Sequence, residues 1–315
     1  MILTDFDYVR AATLDEAAAL LAEPGSRALA GGQSLLVELK TGEGTAARLV
    51  DLRGLAGLRG VQETGAGGLR VGALTTLAEL ARDPRVRAVS PALAEAARAV
   101  GDPQVRHLGT LGGNLAAATD ITPAGAVSGA RDKATDLPAA VLAADATLRL
   151  AGAGGRTTMT AGDFARDGLP TGCLITGIDL PAPGPGEAGA FEKMPDRASR
   201  YPVCAVAVRV VREPGGGLTG LRVAVTGATP RATRLPAVEE LLTGTAAGTA
   251  QGAGAGAGPG AALGTAPGTA QVLAAFRAQP EHLFVTGRGT SAEYLRHLSG
   301  VLTARALTRA TATTT

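Results

Sequence analysis

The 315-residue sequence contains no tryptophan, and aromatic residues make up only 3% of it. Its 45% hydrophobic fraction is largely Ala, Val and Leu, so the core is expected to be built from small aliphatic side chains. Cysteine is almost missing as well. Cys173 and Cys204 share no short motif and read as two buried small hydrophobes, with no disulfide expected in a chain of cytosolic character. Two thiols are too few for an iron–sulfur cluster, and three scattered histidines (His107, His282, His297) form no zinc or copper set, so no metal site is expected. A net charge of +2, from 30 basic and 28 acidic residues without a long basic run, argues against a nucleic-acid partner. No apolar run approaches the roughly 20 residues of a membrane span. The acidic start, Met1 to Asp7, lacks a signal-peptide apolar stretch, so the chain reads as soluble and cytoplasmic. There is no Gly-Lys dipeptide, which excludes a P-loop. One formal G-x-G-x-x-G occurs at Gly184–Gly189. Pro181, Pro183 and Pro185 crowd it and no helical pattern follows, so it reads as a linker rather than a dinucleotide turn.

What the chain does have is a pair of short glycine segments. The first is Ala30-Gly31-Gly32-Gln33-Ser34-Leu35, between a short strand pattern and a helical one. The second is Thr110-Leu111-Gly112-Gly113-Asn114. Adjacent glycines let bare backbone N–H groups approach an anion, and Gln, Ser, Thr and Asn add hydrogen bonds. Two such segments with polar side chains at matching places suggest one diphosphate held from both sides.

Local signals divide the chain into three units. Thr13-x-x-Glu16 and Thr76-x-x-Glu79 read as capping boxes, and Ser90-Pro91 as an N-cap and first helical residue. Asp136 reads as the N-cap of a helix from Leu137 to Ala144. In the third unit, strands are expected near 190–194, 203–211 and 218–226, with a turn at Pro214–Gly217. Residues 243–270, almost wholly Gly, Ala and Thr, read as a flexible loop, and 311–315 as a disordered tail. A last helix opens with a capping box at Thr290–Glu293 and is expected to bury Tyr294, Leu298, Val301 and Leu302.

With their surroundings these segments resemble the FAD-binding medium subunit of the molybdenum hydroxylases, the xanthine dehydrogenase and carbon monoxide dehydrogenase family. Gly101, Pro103-Gln104 and Arg106, followed by Thr110-Leu111-Gly112-Gly113-Asn114, match the family order closely. Asp136-Leu137-Pro138 matches its Asp-Leu-Pro, and Phe191-Glu192-Lys193 its Phe-x-Lys. The likeness runs from about Phe6 to Leu307. It implies FAD contacts from Leu29, Ala30, Gly31, Gly32, Gln33, Ser34, Leu35, Val100, Gly101, Thr110, Gly112, Gly113, Asn114, Asp136 and Lys193. Asp136 would meet a ribitol or ribose hydroxyl, and Lys193 would lie near the flavin and favour its reduced form. His107 is expected to be a surface or hydrogen-bonding residue, and Tyr201 either packs by the ring or belongs to the core. The stretch from about Asp120 to Ala134 is longer than the family pattern and carries no cysteine. It makes Asp120 a competitor for the role of Asp136.

The resemblance implies an α+β fold: FAD-binding subdomains at 1–55 and 56–182, then a C-terminal domain at 187–310 with a three-stranded sheet and helices. It implies an electron-transfer subunit that receives electrons from clusters on an iron–sulfur small subunit. These derive from a molybdopterin large subunit and pass through FAD to NAD, oxygen or a quinone. Two other readings stay open: a self-contained FAD-dependent oxidoreductase, and a non-catalytic flavin-binding or assembly subunit.

Overall fold

The computed structural model describes residues 5–118, 134–212, 218–243, 267–286 and 289–312. The extra stretch from Asp120 to Lys133, with the competitor Asp120 itself, the turn at 214–217, most of the Gly/Ala/Thr segment and the last three residues lie outside these.

The first unit is a parallel three-stranded sheet in the order β1-β3-β2. It comprises β1 (Asp7–Arg10), α1 (Leu14–Leu21), β2 (Ser26–Leu29), α2 (Leu35–Thr41) and β3 (Arg48–Asp51). The Thr13 side chain accepts the Glu16 N–H, and Glu16 reaches back to the N–H of Ala12. Leu49 and Val50 on the central strand are fully buried, and Asp51 at its carboxyl end is buried too. Asp51 accepts a 2.5 Å bond from the Tyr8 hydroxyl and a bidentate pair from Arg53.

The second unit is an antiparallel five-stranded sheet in the order β4-β5-β8-β6-β7. Its first strands are β4 (Val61–Glu63) and β5 (Leu69–Gly72). Then come helices α3 (Leu77–Arg82), α4 (Pro84–Val89), α5 (Pro91–Ala99), α6 (Pro103–Leu108), α7 (Leu111–Ala117) and α8 (Leu137–Ala143). The unit closes with β6 (Thr147–Gly152), β7 (Gly155–Thr160), α9 (Ala161–Asp167) and β8 (Leu174–Leu180). The box at Thr76 and Glu79 forms completely at the start of α3. Ser90 precedes α5 as expected but makes no side-chain cap.

In the third unit β9 (Glu187–Pro195), β10 (Pro202–Arg212) and β11 (Leu218–Thr226) form the expected antiparallel sheet, to which a two-residue edge strand, β12 (Thr233–Arg234), is added. Helices α10 (Pro236–Thr243), α11 (Thr269–Arg277) and α12 (Ala292–Ala312) follow. The strand alternation explains the layering. Cys204, Val206, Val208 and Val210 turn one face of β10 into the core shared with α10, α11 and α12. Ala205 and Ala207, with Ala224 of β11, form the opposite face, which packs in the core of the second unit. Alanines there let α8 lie close against the sheet, and all seven residues of α8 are buried. Each buried leucine of this layer contributes about 1.5–3 kcal/mol relative to exposure.

Four expectations are corrected. Residues 269 and 270 open α11 rather than closing a loop, with Gly268 before them. The last helix is capped by Ser291, which accepts the Tyr294 N–H, and its buried face runs through Leu295, Ser299, Leu302 and Ala306. Tyr294 is exposed instead, because its position falls off that 3.6-residue stripe. The helix also continues through Thr311 and Ala312.

Candidate functional site

The loop after the carboxyl end of β2 carries the first glycine segment. Gly32 adopts φ +70°, a left-handed conformation that suits glycine. At Gly31 the requirement is space: a Cβ there would stand 2.1 Å from the Leu108 carbonyl oxygen and 2.8 Å from the Gly109 Cα. The first segment is thus seated directly on the chain that leads into the second. Leu36 and Glu38 start the α2 ladder by donating to Gly32 and Ser34 carbonyls. The N–H groups of Gly32, Gln33, Ser34 and Leu35 have no acceptor among the described residues.

The second segment spends its donors internally. Leu111 N–H bonds the Thr75 carbonyl, Gly112 the Ala73 carbonyl, Gly113 the Thr110 hydroxyl and Asn114 the Thr110 carbonyl. What it offers the cleft is side chains. Asn114 Oδ1 accepts the Leu137 N–H at 3.2 Å, which leaves its Nδ2 as a donor. The expected cap of α8 is therefore corrected: Asn114 caps it from across the fold, and Asp136 is already helical at φ −80°, ψ −43° with no capping bond.

Both segments line one cleft of about 560 Å³. Of the residues named from the sequence, Ala30, Gly31, Gly32, Gln33, Ser34, Leu35, Val100, Gly101, Thr110, Gly112, Gly113, Asn114 and Asp136 all line it. Two do not. Leu29 is buried in the small core of the first unit, since the alternation of β2 turns it inward. Lys193 stands behind Asp136, its side chain 6% exposed, with Nζ 2.7 Å from Asp136 Oδ1 and 2.9 Å from Oδ2. The bond with hydrogen-bonding geometry is the one to Oδ2, so Oδ1, though close to the ammonium, is a buried oxygen without a hydrogen-bond partner. Burial pushes the Asp136 carboxyl up against the counteracting ammonium, and burial pushes Lys193 down against the counteracting carboxylate.

Other lining residues come from distant parts of the chain. Leu52, Leu58, Leu74, Leu174 and Ile175 supply an apolar wall. Arg27 and Glu38 pair at 3.3 Å along one side. The β9–β10 turn brings in Ser199, Arg200 and Tyr201, ordered by Asp196 Oδ1, which accepts from the Ala198 and Ser199 N–H groups. Arg106 donates to the carbonyls of Val100 (2.9 Å) and Gly101 (2.8 Å) and so fixes that corner of the cleft. Cys173 is half-buried on the cleft wall, whereas Cys204 is in the core; neither forms a disulfide. His107 bonds the Pro103 carbonyl on the surface. Among the described residues no cluster of His, Cys, Asp or Glu could hold a metal ion, and no helix is long and apolar enough to cross a membrane.

Comparison with known proteins gives the family. The family model described as the FAD binding domain in molybdopterin dehydrogenase matches residues 4–183. The carbon monoxide dehydrogenase medium chain of Hydrogenophaga pseudoflava is 33% identical over 252 residues, 78% of this chain and 83% of that one. A putative xanthine dehydrogenase FAD-binding subunit of Escherichia coli is 41% identical over 109 residues, 34% of this chain and 37% of that one. In structure, the chain matches reconstituted CO dehydrogenase from Oligotropha carboxidovorans with a TM-score of 0.81 at 28% identity, covering 99% of both chains. The chain belongs to the FAD-binding family of the molybdopterin dehydrogenases, with the medium subunits of the molybdenum hydroxylases.

Proposed function

We propose that this chain holds FAD in the cleft and serves as the electron-transfer subunit of a molybdenum hydroxylase. The observation that carries this is the convergence of both glycine segments on one cleft, with four unspent N–H groups on the first. Those donors suit the diphosphate, at about 1.5–3 kcal/mol for each charge-assisted bond. Asn114 Nδ2 and the Thr110 hydroxyl add donors from the facing side. The Asp136 carboxylate, on a residue of the cleft lining, suits a sugar hydroxyl of the cofactor. The apolar leucines exclude water from the rings. FAD, when bound, supplies the capacity to take up electrons and release them as a pair.

The reading includes an iron–sulfur small subunit as electron donor and a molybdopterin large subunit as the place of substrate oxidation. A soluble acceptor (NAD, oxygen or a quinone) takes the electrons on. It also includes division of the chain into flavin-binding units at 1–55 and 56–182 and a third unit at 187–310. The test is an absorbance spectrum of the chain purified alone and with its genomic neighbours. Flavin bands at one FAD per chain, joined by iron–sulfur absorbance in the complex, are the expected result. No flavin under either condition, even after incubation with FAD, refutes it.

A further inference from the structure

The last carbonyls of a helix have no partner within it and form its negative end. At the end of α5 three successive ones are taken up by cations. Ala99 accepts from Lys193 Nζ at 3.1 Å, while Val100 and Gly101 accept from one nitrogen of Arg106, Nη1, at 2.9 and 2.8 Å. Arg106 reaches them by folding back from α6, and Gly101 at φ +43° supplies the sharp corner this needs. The two cations differ in what balances them. Lys193 is paired with Asp136. Arg106 meets backbone alone, and no carboxylate pairs with it among the described residues. The acid next to the corner, Asp102, is turned to Arg200 at 3.6 Å. Other arginines of the second unit do have acidic partners: Arg59 has Glu79, Arg70 has Asp179 and Arg85 has Asp83. The corner therefore keeps one uncompensated positive charge. Val100 and Gly101 line the cleft, Arg106 stands outside the lining, and the Gly101 N–H has no acceptor among the described residues. A lock on two carbonyls needs donors but no net charge.

We infer that Arg106 is a positioning residue for the flavin ring: it locks the corner at Val100 and Gly101 and sets a positive charge behind it that favours the reduced ring. This rests on the flavin reading above. Tyr201 is the one aromatic residue of the described lining, and it assigns the ring to this end of the cleft. Uptake of two electrons and one proton leaves the ring with one negative charge. A fixed cation nearby, in a cleft that excludes water, stabilises that form over the neutral oxidised one. Arg106 acts through the corner it holds and through its field.

The test is reductive titration of the full-length chain loaded with FAD, against a reference dye. FAD affinity from fluorescence quenching and a melting curve accompany each variant. Arg106→Gln keeps a donor for the corner and removes the charge. It is expected to weaken reduced flavin about tenfold more than oxidised flavin. For a two-electron couple that lowers the midpoint potential by about 30 mV. Arg106→Lys keeps the charge on a differently shaped arm, and should weaken both forms severalfold alike with the potential unchanged. Arg156→Gln removes an exposed arginine of β7 outside the cleft lining and should leave the potential unchanged. A wild-type potential in Arg106→Gln, or an equal drop in Arg156→Gln, overturns the inference. So does wild-type affinity in Arg106→Lys. If Arg106→Gln does not fold, Arg106→Lys decides alone; if neither folds, the arginine serves the fold only and the inference falls. A wild-type chain that takes up no FAD overturns the flavin reading and this inference with it.

Discussion

Replacing Gly31 with alanine tests the geometry of the site most directly. The added methyl would lie 2.1 Å from the Leu108 carbonyl oxygen and 2.7 Å from its carbon. An ordinary carbon–oxygen contact is about 3.3 Å. The first segment must then withdraw from the second by about 1 Å, and both partners are backbone, so no side chain can swing aside. Overpacking of this kind costs about 1–3 kcal/mol of stability, or a few degrees in melting temperature for a chain of this length. The cofactor feels more than that. The displaced loop carries the unspent N–H groups of Gly32 to Leu35. Loss of one charge-assisted bond, about 1.5–3 kcal/mol, raises the FAD dissociation constant by about one to two orders of magnitude. Isothermal titration with FAD and a melting curve give both numbers. Gly65→Ala is the control, since nothing lies within 4 Å of its added methyl. If Gly31→Ala matches Gly65→Ala in both affinity and melting, the loop is not seated as described and the argument fails.

Asn114→Asp separates two duties of one side chain. The carboxylate still caps α8 through the Leu137 N–H, so melting should change by little, while the lost donor and added negative charge weaken FAD at least tenfold. Unchanged affinity would remove Asn114 from the site. Asp51 governs acid stability. Burial works to raise its carboxyl, but the Arg53 and Tyr8 hydrogen bonds outweigh it and hold it well below the usual carboxylate range. Its contribution is complete above its unfolded value near about 4 and is lost as pH falls toward the lowered folded one. Urea midpoints of the wild type should therefore drop more steeply between about pH 4 and 2 than those of Asp51→Asn, which should also be less stable by about 1.5–3 kcal/mol at pH 7. Parallel curves would refute this.

Much of this site was legible because its signals are local. The capping box at Thr76 and Glu79 and the turn glycines of the first segment depend on neighbours three or four residues away. The features that escaped depend on distant chain. β1 reads Asp-Tyr-Val-Arg, mostly exposed, and is a strand only because β3 pairs with it. β7 is polar but for Met159 for the same reason: it is an edge strand paired on one side only. The helix α11 follows a run of Gly, Ala and Thr, and only burial of Val272, Ala275 and Phe276 against the third sheet distinguishes it. The capping of α8 by Asn114 spans 23 residues, and the reach of Lys193 to Asp136 spans 57. A cap next to its helix was the local expectation for Asp136. The ion pair drew that carboxylate away and left the helix start to Asn114. The role of Arg106 was within reach, because an arginine five residues after a glycine corner can fold back on its carbonyls.

The β9–β10 turn has a consequence for the order of events during synthesis. The family match ends at residue 183, yet the cleft is closed by Ser199, Arg200 and Tyr201, and its buried carboxylate is held from residue 193. Domains fold as they leave the ribosome, amino-terminal first. The segment that carries the family signature therefore emerges with an unfinished cleft. Its final wall arrives only when the next sheet begins to form. With FAD placed in this cleft as proposed, its loading waits for that wall, and an amino-terminal fragment that stops at the end of the signature would be made without the turn that completes the cleft.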